Sequence, residues 1–328
     1  EAKLTADYTE LCAAAELEFR GEKYNLSTII KFRQDADRTT RHQADQVFWN
    51  WFAEHNEQLD IIYDRLVQLR TLMAHKLGFA SYVELGYKRM NRIDYNREDV
   101  EFYREQVREH VVPLCTEIRR QQQARLGLDQ LYAYDEPLFD PAGNPKPGGD
   151  HDWMIEQAKA MFDTLGGGLG EFFRLMVDCD LMDLKSRDGK AGGGFCTDFS
   201  TYGLPYIFAN FNGTKGDVEV FTHEMGHAFQ CYCSRNQPLF DYLWPTYESC
   251  EIHSMSLEFL TWPQMDKFFG DDAERFRKIH LAQSLLFLPY GVAVDHFQHL
   301  VYENPSATPS ERHAMWKQME AFDDIPSR

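Results

Sequence analysis

The segment His223-Glu224-Met225-Gly226-His227 constrains the fold more than any other part of this 328-residue chain. Residues four apart on an α-helix lie one turn above the other on the same face, so both imidazoles can reach one metal ion only if the segment is helical. Glu224 then projects beside the ion, where it can act on a water molecule instead of binding the metal. The pattern predicts a helix over about 217–233 that holds one zinc ion through His223 and His227, with Glu224 as the general base.

A catalytic zinc ion needs a third protein ligand, because such sites use three protein ligands and leave one position open. The candidates are Glu248, Glu251 and Glu258 on a second predicted helix. In zinc peptidases with a glutamate ligand, the third ligand commonly follows the second histidine by about two dozen residues. Glu251 lies 24 residues after His227 and is therefore the expected ligand. A third histidine six residues after the second is excluded, because Cys233 stands there.

Several neighbours of these ligands have two interpretations each. Asp217 can orient a ligand imidazole, since zinc-bound histidines usually donate their other N–H to an oxygen, or it can cap the helix. Glu258 can orient a ligand in the same way or be a solvated charge. No spacing argument separates His253 or Ser254 from surface residues. The motif histidines themselves can also be read as hydrogen-bonded packing residues without a metal.

Helical periodicity dominates the rest of the chain. Apolar residues recur at three-four spacing from Leu59 to Leu77, where Gly78 ends the pattern. A similar stripe over 100–118 contains Pro113, which is predicted to interrupt the helix. Residues 190–213 differ, because two short aromatic-rich segments bounded by glycine or proline are typical of strands. We expect a mainly α protein with one small β-sheet just before the H-E-x-x-H helix.

The predicted strand that ends before this helix is the candidate peptide-binding element. The edge of a sheet binds an extended peptide through main-chain hydrogen bonds, with little regard for its side chains. We therefore expect substrate to be bound at Phe208, Ala209, Asn210 and Phe211. The alternative is a packed hairpin that contacts no substrate.

Charge and cysteine content limit the possible partners. The formal net charge of −18 argues against nucleic acid and anionic membranes, which both require a basic face. No apolar run approaches the roughly 18 residues that span a bilayer. Seven scattered cysteines do not form a disulfide framework and favour a reducing, cytoplasmic setting. Cys231 and Cys233 are better explained as packing thiols than as a metal pair, because residues two apart point to different sides of a helix.

The chain resembles the thimet-oligopeptidase and oligoendopeptidase F family, most closely its Pz-peptidase-like bacterial branch. The matching features include the H-E-x-x-H segment and a Glu-x-x-Ser-x-x-x-Glu run from Glu251 to Glu258. In the family pattern the first glutamate of this run is the third zinc ligand, which agrees with the spacing. The stretches that carry the resemblance are residues 189–193, 208–214, 216–218, 223–230, 251–258 and 289–295.

The resemblance implies a zincin-type, multi-helix metallopeptidase fold that hydrolyses internal bonds of short, extended oligopeptides. It implies one zinc-peptidase domain over 1–328, expected to be incomplete, with a helical lobe over 1–165 and a zinc-binding lobe over 166–328. Family members continue past the equivalent of Met319 into a segment whose His and Tyr residues contact substrate, and residues 323–328 do not resemble it. The alternative is therefore a zinc-binding fragment that binds peptides without efficient cleavage. Oligomeric state is not predicted.

Overall fold

The computed structural model describes residues 1–322. Residues 323–328, where the sequence departs from the family pattern, lie outside the described part. Helices dominate, as predicted, and five short strands accompany them. The helices are α1 (Ala2–Ala13), α2 (Ile30–Arg33), α3 (Arg38–Glu54), α4 (Asn56–Lys76), α5 (Tyr82–Arg89), α6 (Arg97–Gln106), α7 (Val112–Leu126), α8 (His151–Leu165), α9 (Leu169–Asp178), α10 (Gly216–Ser234), α11 (Ile252–Leu260), α12 (Asp266–Phe269), α13 (Ala273–Glu303) and α14 (Pro309–Phe322). The strands are β1 (Leu17–Phe19), β2 (Glu22–Tyr24), β3 (Met182–Lys185), β4 (Phe195–Phe199) and β5 (Leu204–Phe211).

The helix boundaries follow local sequence signals. Helix α4 ends just before Gly78, which adopts the left-handed conformation (φ +85°) that the predicted helix end requires. The stripe over 100–118 is divided into α6, a π-helical turn at Val107–Val111 and α7. Pro113, which lies in the first turn of α7, has no N–H to continue the α-helical ladder. The predicted interruption is confirmed, and the π turn is the form it takes.

The chain forms two compact units that alternate along the sequence. One contains residues 1–11, 33–143 and 279–328, and the other contains 12–32 and 144–278. The second unit carries every predicted site residue. The single domain over 1–328 and its division at residue 165 stay predictions.

The core of the second unit packs helix α10 against aromatic side chains. Phe221 of α10 lies 6.1 Å from the ring of Phe162 and 5.7 Å from that of Phe173, measured between ring centroids. Val218 and Met225 on the same side of α10 are also buried. Burying this face directs the opposite face, with both motif histidines, away from the core. The apolar periodicity of α10 therefore determines where the histidines point.

Beside α10 lies a three-stranded sheet with the order β3-β5-β4. Strand β5 pairs in parallel with β3 and antiparallel with β4, so Phe208 is opposite both Asp183 and Phe195. Both predicted strands are confirmed, but β5 is the central strand and not the edge that the sequence analysis expected. The sequence offers no clear signal for β3, whose pairing with β5 occupies the side of β5 that was expected to be free. The outer strand on the other side is β4.

A search of the helices in residues 1–322 finds none that is both long enough and apolar enough to cross a bilayer.

Candidate metal centre

Three ligand atoms converge where α10 meets the start of α11. The Nε2 atoms of His223 and His227 lie 3.2 Å apart. Glu251 Oε2 lies 3.0 Å from the first and 3.2 Å from the second. Within the described residues, these three form the one group of His, Cys, Asp or Glu whose ligand atoms all lie within 4.8 Å of one another. Metal–ligand bonds of about 2.0–2.1 Å in tetrahedral geometry separate ligand atoms by about 3.3 Å, so the spacing fits zinc.

The outward-facing nitrogens of the two histidines have different partners. Nδ1 of His223 lies 2.7 Å from Glu258 Oε1, whereas Nδ1 of His227 lies 3.0 Å from Nε2 of His253. With both Nδ1 atoms donating, each Nε2 atom presents a lone pair to the same point. Two such lone pairs and a carboxylate oxygen repel one another unless a cation lies among them. The donor set therefore fits a metal in chemistry as well as in spacing.

Gly226 allows α11 to reach this position. A Cβ added to Gly226 would lie 2.6 Å from Ser254 Cα and 2.7 Å from the carbonyl oxygen of His253. The backbone at the start of α11 thus packs directly on the backbone of α10, inside the H-E-x-x-H motif. Ser254 is fully buried by this contact, and its Oγ donates to Glu251 Oε2 over 2.7 Å. This hydrogen bond fixes the carboxylate of the third candidate ligand.

Glu224 lies buried beside the cluster. Burial raises the pKa of its carboxyl to about 7; His223 opposes this rise, while Glu251 and Glu258 add to it. Its Oε2 atom is buried and has no hydrogen-bond partner within residues 1–322. A buried polar atom without a partner is costly in a purely structural role. An unpaired carboxylate oxygen with a pKa near neutrality is suited to accepting and releasing a proton.

The pKa values of the two histidines move in opposite directions. Burial lowers the pKa of His227, and the positive charges of neighbouring histidines add to this effect, while Glu251 opposes it. Burial also acts to lower the pKa of His223, but the hydrogen bond and charge of Glu258 outweigh it and raise that pKa. A proton therefore competes with a metal at His223 more than at His227.

A glycine-rich segment, residues 191–194, lies near Glu224. A Cβ added to Gly194 would lie 3.0 Å from Val220 Cγ1 and 3.6 Å from Glu224 Oε1. The side-chain amide of Asn210 donates to the carbonyl oxygens of Ala191 and Gly193, both over 2.9 Å. Asn210 therefore holds this segment in place. The start of β4 accordingly lies next to the carboxylate of Glu224.

Lys190 fastens the same segment to the sheet. Its ammonium nitrogen lies 2.5 Å from the carbonyl oxygen of Ala209, 2.9 Å from that of Lys185, and 3.0 Å from both the carbonyl and Oδ1 of Asp183. The side chain is only 1% exposed. Burial lowers the pKa of Lys190, and Asp183 partly offsets this. Lys190 thus links β3, β5 and the glycine-rich segment through one buried charge.

The remaining predicted residues lie close by but have different contacts. Asp217 accepts hydrogen bonds from the backbone N–H groups of Asn212 and Gly213 over 2.9 and 2.7 Å, so these contacts join the turn after β5 to the start of α10. Glu258 contacts the imidazole of His223, a candidate ligand, and the orienting roles of both carboxylates stay predictions. Phe208 stacks on Phe195, with ring centroids 4.9 Å apart. Ala209 is buried, and Phe211 packs against Phe221.

Sequence reasoning did not identify His253 as part of this centre. Its ring centroid lies 5.0 Å from that of His227, with the ring planes 77° apart. Its position in the sequence could have identified it. His253 lies two residues after Glu251, the third candidate ligand, on the segment that packs against Gly226 of α10.

A zincin-type helical fold with a candidate metal centre of this kind is typical of metallopeptidases. Comparison with known proteins points to the same class. Residues 171–324 match the model described as peptidase family M3, a stretch that contains Glu224 and all three candidate ligands. The family resemblance stated from the sequence is confirmed, because the matching family model and the solved structures described next are of the kind that it predicted.

Three solved structures resemble nearly the whole chain. PZ peptidase A, solved with an inhibitor, is 50% identical with a TM-score of 0.98; the match covers 99% of this chain and 58% of that one. An oligoendopeptidase F from Bacillus anthracis is 51% identical with a TM-score of 0.96, covering 98% and 59%. Another oligoendopeptidase F is 50% identical with a TM-score of 0.97, covering 98% and 57%. The chain thus spans less than two thirds of these relatives. No curated protein sequence gives a match.

Proposed function

We propose that the chain is a zinc-dependent endopeptidase that hydrolyses internal bonds of short, extended peptides. The observation that carries this proposal is the convergence of His223, His227 and Glu251 beside Glu224, whose buried Oε2 lacks a partner within residues 1–322. The match of residues 171–324 to a peptidase family model supports the reaction class. One zinc ion is the proposed cofactor, since two imidazoles and one carboxylate form a common catalytic zinc site.

When bound, zinc polarises the scissile carbonyl and lowers the pKa of the attacking water. Glu224 accepts the proton of that water at its carboxylate and passes it to the leaving amine. Burial favours this exchange, because a base with a pKa near 7 both takes and returns a proton at neutral pH. Glu258 keeps the imidazole of His223 turned toward the metal through the Nδ1 atom of that ring.

An extended peptide is proposed to bind along the outer edge of β4. The side of β4 away from β5 pairs with no strand among the described residues. The strand begins at Phe195, directly after Gly194, where an added Cβ would lie 3.6 Å from Glu224 Oε1. A peptide there would place its backbone beside the general base and could be bound through main-chain hydrogen bonds. The contribution of Phe208, Ala209, Asn210 and Phe211 to substrate binding stays a prediction, and their contacts favour a role in supporting β4.

Partner and compartment are proposed from composition. The net charge of −18 supports peptides as partners in preference to nucleic acid or anionic membranes, and it favours cationic peptides by long-range attraction. The seven cysteines are scattered along the chain and odd in number, which supports a reducing compartment such as the cytoplasm.

A second candidate function follows from length. The chain spans 57–59% of the relatives it resembles, so the residues that stabilise the oxyanion in those relatives can lie outside the stretch that it matches. Losing one such donor costs about 2.7–4 kcal/mol of activation free energy, or a rate loss of roughly 10²–10³. The alternative is therefore a zinc-binding protein that binds peptides but cleaves them slowly.

Hydrolysis of a quenched fluorescent oligopeptide, measured together with zinc content, separates these functions. We expect the unmodified chain to cleave and Glu224→Gln to be inactive, while both retain one zinc ion per chain. Glu251→Ala is expected to lose zinc, whereas Glu248→Gln, the matched control at an exposed glutamate outside the cluster, is expected to keep it. Equal cleavage by the unmodified chain and Glu224→Gln would refute the assigned base. Zinc binding without cleavage would establish the alternative.

A further inference from the structure

The two candidate histidine ligands are supported by different chemistry. His223 has the common arrangement, in which the outer nitrogen of the ring meets a carboxylate, here Glu258 at 2.7 Å. His227 has a second imidazole instead, with its Nδ1 atom 3.0 Å from His253 Nε2. The ring planes of His227 and His253 are 77° apart, so the contact runs edge to edge and is not a stacking contact. This asymmetry is unexplained by the proposed reaction.

The direction of this hydrogen bond follows from the metal centre. Nε2 of His227 lies 3.2 Å from Glu251 Oε2 and from His223 Nε2, so it is the nitrogen that faces a metal. Metal binding requires a lone pair at that nitrogen, which leaves the proton on Nδ1. Nδ1 must then donate, and His253 must accept with a lone pair at its own Nε2. The geometry thus requires one particular tautomer of His253.

The position of His253 is fixed by backbone packing. Its carbonyl oxygen would lie 2.7 Å from a Cβ on Gly226, and the next residue, Ser254, is fully buried. Glu251, His253 and Ser254 lie on one short segment that contributes a candidate ligand, the imidazole partner of His227 and a hydrogen bond to the ligand carboxylate. The ring of His253 is therefore held at His227 by the same contact that delivers the third ligand.

We propose that His253 is a positioning residue for zinc: it holds His227 in the tautomer and ring orientation that direct Nε2 to the metal. The proposal rests on the zinc site of the proposed function. Outer partners of zinc-bound histidines typically contribute 10- to 100-fold to metal affinity. Replacing His253 with a residue that cannot accept a hydrogen bond should weaken zinc binding by a factor in this range.

Zinc dissociation constants from competition with a chromogenic chelator test the proposal. His253→Leu removes the acceptor and is expected to weaken binding 10- to 100-fold. His253→Gln can place its amide oxygen near the position of the lost Nε2 and should recover most of that affinity. Ser256→Ala, at an exposed position of α11, is the matched control and should bind as the unmodified chain does. The free energy of unfolding of the zinc-free chains should be the same for His253→Leu and His253→Gln, because only the metal-bound state requires the acceptor.

A second measurement needs no substitution. Long-range ¹H–¹⁵N correlation spectra of the imidazoles in the zinc-loaded chain should show the proton of His227 on Nδ1 and a lone pair on His253 Nε2. A protonated His253 Nε2, equal zinc affinity of His253→Leu and the unmodified chain, or equal losses in His253→Leu and His253→Gln would each overturn the proposal. Failure of the unmodified chain to bind zinc would instead overturn the proposed function on which it rests.

Discussion

The substitution Gly226→Ala tests how the third ligand is placed. The added methyl group would lie 2.6 Å from Ser254 Cα, 2.7 Å from the His253 carbonyl oxygen and 3.0 Å from Ser254 N. Carbon atoms in contact prefer about 3.5–4.0 Å, so the start of α11 must move by roughly 1 Å. Metal–ligand distances tolerate only about 0.2 Å. Glu251, three residues before the closest contact at Ser254, would therefore leave bonding range.

The expected result is a large loss of zinc affinity with a small loss of stability. A misplaced ligand should cost at least the roughly 100-fold that marks the upper end of outer-partner substitutions. Overpacking costs about 1–3 kcal/mol, while alanine gains nearly 1 kcal/mol over glycine inside a helix. Unfolding free energy should thus fall by roughly 0–2 kcal/mol.

Chelator competition and urea denaturation of the zinc-free chain measure the two quantities separately. Gly86→Ala is the matched control, because its added Cβ would lie 3.7 Å from Tyr82 Cε1, an ordinary contact, inside helix α5. It should keep full zinc affinity and gain slightly in stability. If Gly226→Ala bound zinc as tightly as the unmodified chain, the reasoning about backbone contact would be refuted.

Three further predictions concern protons and charges. The acid limb of kcat/KM for peptide cleavage should lie at or below about pH 7. Burial raises the pKa of Glu224 to about 7, and a bound cation lowers that pKa from there. A fall in activity as the pH rises from 5 to 7 would contradict this prediction. Glu258→Gln should weaken zinc binding about 10- to 100-fold in chelator competition, and unchanged affinity would count against its role at His223. Burial acts to raise the pKa of Asp135, but Arg38 and Arg41 outweigh it and hold that pKa below its ordinary value. The ionised Asp135 carboxylate therefore stabilises the fold at neutral pH, and this stabilisation is lost as the pH falls through the native pKa. Asp135→Asn leaves Arg41, only 2% exposed, without its charge partner and should lower unfolding free energy by about 3–5 kcal/mol, measured by urea denaturation at pH 7; a loss under 1 kcal/mol would refute this estimate.

The parts of the site that lie within one turn of helix could be predicted from the sequence. His223, His227 and Glu224 share a helix whose buried face is visible as apolar periodicity, so their placement follows from the helical repeat. Ligand spacing led to Glu251, and the structure brings its carboxylate to within 3.2 Å of both motif histidines. The end of helix α4 near Gly78 followed from glycine conformation.

The rest depends on contacts between segments that are distant in sequence. Strand β5 looked like an edge because its partner β3 is a four-residue strand with no clear pattern, and pairing is not encoded locally. Asp217 has the residue type to orient an imidazole, but its carboxylate accepts hydrogen bonds from two backbone N–H groups just after β5. The place of His253 beside His227 could be inferred only after the contact between Gly226 and the start of α11 was known. Each of these results comes from packing geometry and not from a residue pattern.

Local opening of the sheet beside Glu224 can be measured through the reactivity of Lys190. Its amine is enclosed by oxygen acceptors and is 1% exposed, so an amine-reactive reagent cannot modify it while the sheet is intact. Modification requires β5 or the glycine-rich segment to separate from Lys190, a local opening with its own free energy. The acylation rate of this lysine, followed by mass spectrometry, would therefore report how often the strand beside Glu224 separates from Lys190. A peptide bound along β4 should slow that rate, so the acylation rate of Lys190 should also report whether a peptide is bound.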